Sequence, residues 1–172
     1  MEEEIVNRVA ASNTLVSFDL EVYYSHGPRI AIDIKDQLVD GVLLREKEFR
    51  NYIKSTDWSV FDGKYVAIMC SADAIVPTWA FMLLAGALES YAKRVIFGTL
   101  DQLESILFQD SLSLIDWGQF SGKRVVIKGC SKFPVPVSAY VDAITYLKPI
   151  ALSVMYGEPC STVPLFKRSP QK

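Results

Sequence analysis

Three cysteines, Cys70, Cys130 and Cys160, are the residues of this 172-residue chain whose setting is best suited to chemistry. Each is followed by a serine and then by a Val-Pro pair: Ser71 with Val76-Pro77, Ser131 with Val135-Pro136, and Ser161 with Val163-Pro164. Two of these loops belong to a longer match. Trp58, Phe61, Gly63 and Lys64 precede Cys70 in the spacing W-x-x-F-x-G-K, and Trp117, Phe120, Gly122 and Lys123 precede Cys130 in the same spacing. The tryptophans are 59 residues apart and the cysteines 60. The pattern reads as a duplicated helix–strand–loop–helix–strand unit. The third loop shares only its Cys-Ser and Val-Pro pairs, so the three sulfurs are not a simple product of duplication.

Each cysteine follows a segment that reads as a parallel strand, and ligands of open α/β sheets bind at the carboxyl ends of strands. Cys70 and Cys130 also precede helix N-termini, where free amides and the helix dipole favour a thiolate. Three convergent thiolates repel unless a cation neutralises them. Cysteine-only ligation favours zinc or an iron–sulfur cluster. The leading expectation is therefore a metal- or iron–sulfur-binding protein with Cys70, Cys130 and Cys160 as ligands. Asp73, Glu158 and His26 are candidates for a fourth ligand, with Ser71, Ser131 and Ser161 as polar neighbours. Two other readings stay open. One cysteine, Cys70 or Cys130, acts as a helix-activated nucleophile in a thiol enzyme. Alternatively, the cysteines are buried small hydrophobes in a protein interaction module.

The elements that must position these loops follow from periodicity. Leu15–Leu20 and Arg29–Ile34 alternate like strands. Leu38–Leu44 reads as a third strand, interrupted at Asp40-Gly41. Arg45–Lys54 has Phe49, Tyr52 and Ile53 at helical spacing. Strands are expected at Lys64–Met69, Val95–Phe97, Arg124–Lys128 and Ala151–Tyr156. Helices are expected at Pro77–Lys93, Leu100–Leu114 and Pro136–Leu147, and an arm over residues 1–13. Alternation of this kind implies an α/β fold with a mostly parallel sheet and flanking helices. The closely spaced N-terminal strands are expected to form an antiparallel edge. The organisation is a single domain over 1–172, with a β-rich part at 1–44 and repeat units at about 45–99 and 100–157. The two tryptophans with Phe61 and Phe120 read as core anchors, and Trp79, Tyr91, Tyr140 and Tyr146 as helix packing.

Composition narrows the function classes. Half the residues are apolar, enough for a core without disulfides. A net charge of −2 speaks against nucleic acid as the partner. The longest apolar run, Ile75–Leu88, is too short to span a bilayer, so no membrane partner is expected. An odd number of cysteines and no export signal point to reduced thiols in the cytoplasm. The apolar content is compatible with a homodimer.

Three segments resemble the uncharacterised bacterial domain-of-unknown-function family 2480: Cys70 to Trp79 (CSADAIVPTW), Val126 to Ser131 (VIKGCS) and Met155 to Pro164 (MYGEPCSTVP). The resemblance covers nearly the whole chain and brings no established activity. It implies partners among iron–sulfur assembly proteins, because genes of the family tend to lie beside assembly genes.

Overall fold

A computed structural model describes residues 15–129, 132–158 and 161–169. The arm expected over residues 1–13, together with Cys130, Ser131 and Cys160, lies outside the described residues. In chain order the strands and helices are β1 (Leu15–Asp19), β2 (Arg29–Asp33), β3 (Leu38–Val39), β4 (Leu43–Leu44), α1 (Glu46–Ser55), β5 (Tyr65–Met69), α2 (Thr78–Leu88), β6 (Arg94–Phe97), α3 (Leu100–Ser113), β7 (Arg124–Lys128), α4 (Val137–Leu147), β8 (Ser153–Glu158) and β9 (Ser161–Lys167). The chain divides into two compact units, one of residues 26–104 and one of residues 1–25 with 105–172.

The 26–104 unit holds a parallel sheet in the order β2-β5-β6. Its β5 is a short β-branched and alanine run, Tyr65-Val-Ala-Ile-Met69, buried at Val66, Ala67 and Ile68 as a central parallel strand requires. Helix α1 is amphipathic and turns Phe49 inward. Helix α2 buries the stripe Ala80, Leu84 and Leu88. With Ile34, Leu44 and Trp58 these side chains form one core, each large one contributing about 1.5–3 kcal/mol on full burial.

In the second unit the sheet order is β1-β7-β8-β9, parallel except for the β8–β9 pair. Its core joins Phe18, Leu20, Phe108, Leu112, Phe120, Val125, Ile127 and Val154 to the α4 stripe Ala139, Ala143 and Leu147.

The mixed α/β, mostly parallel architecture agrees with the sequence reading. Among the N-terminal strands the expected antiparallel pairing is found at β3–β4 and not at β1 and β2. β1 and β2 do take edge positions, but each pairs in parallel, with β7 and β5 respectively. Antiparallel pairing falls on β3–β4 and β8–β9. The cause is the connection: β1 and β2 are not joined to each other by a hairpin, and each reaches its neighbour only after a helix, which delivers the chain in the same direction. Asp40, at φ 52°, and Gly41 turn the expected third strand into the β3–β4 hairpin. Strand β9 was not expected at all.

The two W-x-x-F-x-G-K segments adopt matching local structures. Asp57 and Asp116 cap the short 3₁₀ turns Trp58–Phe61 and Trp117–Phe120, accepting from the amides of Ser59 and Gly118. Each indole donates to the carbonyl five residues back, Trp58 to Ile53 at 2.8 Å and Trp117 to Leu112 at 3.1 Å. Gly63 and Gly122 follow at φ 67° and 68°, where a side chain is strained. Their amides bond to the carbonyls of Tyr91 and Ile150.

Candidate functional site

The carboxyl ends of the strands are held by carboxylates. In the 26–104 unit, Asp33 ends β2 and accepts from the Lys35 amide at 3.0 Å. It also accepts from the Ser71 amide at 3.0 Å and the Ser71 hydroxyl at 2.5 Å. Burial pushes the Asp33 carboxyl up, but the Ser71 hydroxyl, the Lys35 and Ser71 amides and the Lys35 ammonium outweigh it and hold the pKa at about 2. Asp33 is thus a fixed, ionised anchor for the Cys70-Ser71 loop. In the other unit Asp19 ends β1, caps the following turn through the Glu21 amide and pairs with Lys128 at 3.4 Å. The Glu21 carboxylate takes the amides of Lys132 at 2.7 Å and Phe133 at 3.3 Å. Phe133 stacks on Tyr24 at 4.5 Å between ring centroids.

The described residues do not assemble the expected metal ligands. Cys70 is the one cysteine among the described residues, and it packs half-buried against the core of its unit. Its Sγ approaches only the Ala72 carbonyl, at 3.8 Å. Ser71 is committed to Asp33. Asp73, Glu158 and His26 are all exposed. Among the described residues no group of three or more His, Cys, Asp or Glu side chains is placed to hold a metal ion. The metal- or iron–sulfur-binding reading of the sequence is therefore corrected. Its physical basis was convergence of thiols, and the described thiol is turned to hydrocarbon. Cys130, Ser131 and Cys160 lie outside the described residues; Ser161 opens β9 and is exposed.

The structure draws attention instead to α4. Its buried stripe, Ala139, Ala143 and Leu147, is only one of its two apolar faces. The second carries Val137, Tyr140, Val141 and Ile144 at helical spacing. Val137 is 78% exposed and Val141 56% exposed. With Ile127 of β7, Tyr156 of β8 and Leu165 of β9, this face lines a groove of about 400 Å³. Tyr140 and Tyr156 meet edge to face across it, 5.7 Å apart at 84°, a favoured aromatic geometry. The Tyr140 hydroxyl donates to the Gly129 carbonyl, which joins the groove wall to the loop after β7. Among the described residues its lining is apolar and aromatic, with no carboxylate, imidazole or amine, so it offers contact area. Beside the last turn of α4 lies a second depression, of about 630 Å³, lined by Thr145, Lys148, Pro149, Phe166, Lys167 and Arg168. The same two elements, α4 and β9, flank both.

The equivalent helix of the 26–104 unit has a related surface. Phe81 of α2 and Phe97 of β6 meet at 5.0 Å and 78°, and Met82 and Phe97 are each 68% exposed. Sequence reasoning assigned Tyr140 to packing and passed over Phe81 and Phe97, because periodicity cannot distinguish a stripe that faces a core from one that faces a partner. The available signal was the width of the apolar arc: α2, Thr78 to Leu88, contains no charged residue, which is more than one buried stripe needs.

A family described as "Protein of unknown function (DUF2480)" matches residues 3–168. No curated protein and no solved structure matches the chain. Among the described residues no helix is long and apolar enough to cross a membrane.

Proposed function

The chain belongs to the DUF2480 family, and we propose that it works as a binding module whose α4 groove takes an amphipathic helix of a partner protein with an acidic end. The observation that carries this reading is the exposed second face of α4, Val137 and Val141, standing beside the aromatic pair Tyr140–Tyr156. An apolar helix laid along such a groove buries its i, i+3, i+4 and i+7 side chains. The charge pattern selects the partner: the groove itself is uncharged, whereas Lys148, Lys167 and Arg168 line the depression at the last turn of α4. A helix with an apolar ridge and a terminal Glu or Asp cluster matches both.

Synthetic amphipathic peptides with Leu at i, i+3, i+4 and i+7 and three terminal glutamates test this, titrated into the wild-type chain and into Val141→Glu. The expected result is binding by the wild type and at least tenfold weaker binding by the variant. Equal binding by both, or none by the folded wild type, overturns the reading.

A further inference from the structure

We infer that the basic depression between α4 and β9 is a docking site for the acidic segment Glu2-Glu3-Glu4 of the same chain. The first observation is the charge of the site. Lys148, Lys167 and Arg168 line it together with the Phe166 ring, and the Lys148 ammonium stands over that ring at 5.9 Å. Arg168 is already engaged, donating to the carbonyls of Ala151, Lys148 and Pro149. The Lys148 carbonyl is at the C-cap of α4 and the other two follow it, and the dipole of that helix end is equivalent to about half a negative charge. Arg168 offsets that charge, and two ammonium groups remain. Among the described residues neither Lys148 nor Lys167 has a carboxylate partner. The site is thus a cationic concavity with an aromatic floor that wants an anion.

The second observation is where the chain enters the unit. Leu15 opens β1 and pairs with Arg124, Arg124 pairs with Ser153, and Ser153 pairs with Lys167. These four residues form one row across the amino-terminal end of the parallel strands. At roughly 4.8 Å per strand, Lys167 stands about 14 Å from Leu15. Glu2, Glu3 and Glu4 precede Leu15 by 13, 12 and 11 residues. Twelve residues span up to about 40 Å extended or about 18 Å as a helix. Either conformation reaches the site. Residues 105–172 carry eight Lys or Arg against four Asp or Glu, while residues 1–14 carry three glutamates and one arginine. The segment and the surface within its reach are complementary in sign.

The contact bears on the proposed partner site, because the same lysines would receive the acidic end of a partner helix; that consequence rests on the binding reading, whereas the contact itself does not. Zero-length carbodiimide coupling of the full chain joins a carboxylate to a neighbouring amine, with loss of water, and therefore tests it directly. Coupling is expected between the peptide holding Glu2–Glu4 and Lys148 or Lys167. The yield should be independent of protein concentration and fall several-fold in 1 M salt, where screening extends to about 3 Å. Lys148→Glu with Lys167→Glu should abolish it, and adding Glu2→Lys, Glu3→Lys and Glu4→Lys should restore coupling with reversed polarity. Coupling spread evenly over Lys123, Lys128 and Lys132 overturns the inference. So does coupling only between chains in a mixture of isotopically light and heavy protein. In Glu2→Gln, Glu3→Gln, Glu4→Gln, acidic-ended peptides should bind several-fold more tightly. Peptides that fail to bind while coupling persists remove the partner reading and leave the docked segment standing.

Discussion

Asp33 and Ser71 lie 38 residues apart in sequence, yet one carboxylate holds both the amide and the hydroxyl of that serine. This closes the loop after β5 onto the end of β2. The folded pKa of about 2 lies below the ordinary value of 3.8. A depressed carboxyl stabilises the fold when ionised, so its contribution is complete above pH 4 and disappears as pH falls from about 4 to 2. Unfolding midpoints measured across that range should drop less steeply for Asp33→Asn than for the wild type. At pH 7 Asp33→Ala should cost about 1–2 kcal/mol, since it removes a turn cap and leaves the Ser71 amide without its acceptor.

The two indoles make a second prediction. Trp58 donates to a carbonyl in the last turn of α1, and Trp117 to one in the last turn of α3. Carbonyls there lack intrahelical partners. Trp58→Phe and Trp117→Phe should each cost about 1 kcal/mol beyond any packing change, and alanine at Trp58, which is buried, about 3–5 kcal/mol. Chemical denaturation of the four proteins checks this. An unchanged stability in either phenylalanine variant would show that the indole N–H is equally well solvated without the carbonyl.

What the sequence made legible was local. Gly63 and Gly122 in their repeated W-x-x-F-x-G-K segments, and the alternation of strands with helices, act within a few residues, so spacing exposes them; the capping Asp57 and Asp116 lie just outside the motif and were passed over. The pairing direction of β1 and β2 depends on connections of thirty residues or more and leaves no local mark. Strand β9 contains Pro164, which a run-based reading treats as a break; here it sits at the Val154/Met155 irregularity of the β8–β9 pair, a place where a missing N–H is tolerated. For the site, the sequence singled out the cysteines because their loops match. Cys70 shows why the inference failed there: a loop motif can match because it ends a strand and starts a helix, without its side chain facing outward. Val137 and Val141 were hidden by the opposite ambiguity, being apolar residues at core-like spacing on the exposed side of α4.

Those two valines give a third prediction. Val141→Glu adds a charge to an exposed apolar face, so thermal stability should move by no more than about 0.5 kcal/mol. Ala143→Glu, two residues on and fully buried, should fail to fold, because an unpaired carboxylate is forced among hydrocarbon. Circular dichroism melts of both variants check the contrast. Severe destabilisation by Val141→Glu would mean that this face is covered in the native protein.

The last prediction concerns the link between groove and loop. Gly129 sits at φ 141°, and a Cβ there would meet the Leu20 Cβ at 2.9 Å, so the loop after β7 leaves its strand by a path only glycine allows. Its carbonyl receives the Tyr140 hydroxyl. Farther along, Glu21 receives the amides of Lys132 and Phe133. Tyr140→Phe removes one restraint of the loop and keeps the ring against Tyr156. Stability should fall by about 1 kcal/mol, and the Lys132 and Phe133 amides should exchange faster through local opening. Glu21→Ala should accelerate the same amides more, because it removes their acceptor directly. Hydrogen exchange read at these two amides checks the order. If Tyr140→Phe leaves their exchange unchanged, Glu21 holds the loop alone and the groove wall moves independently of it.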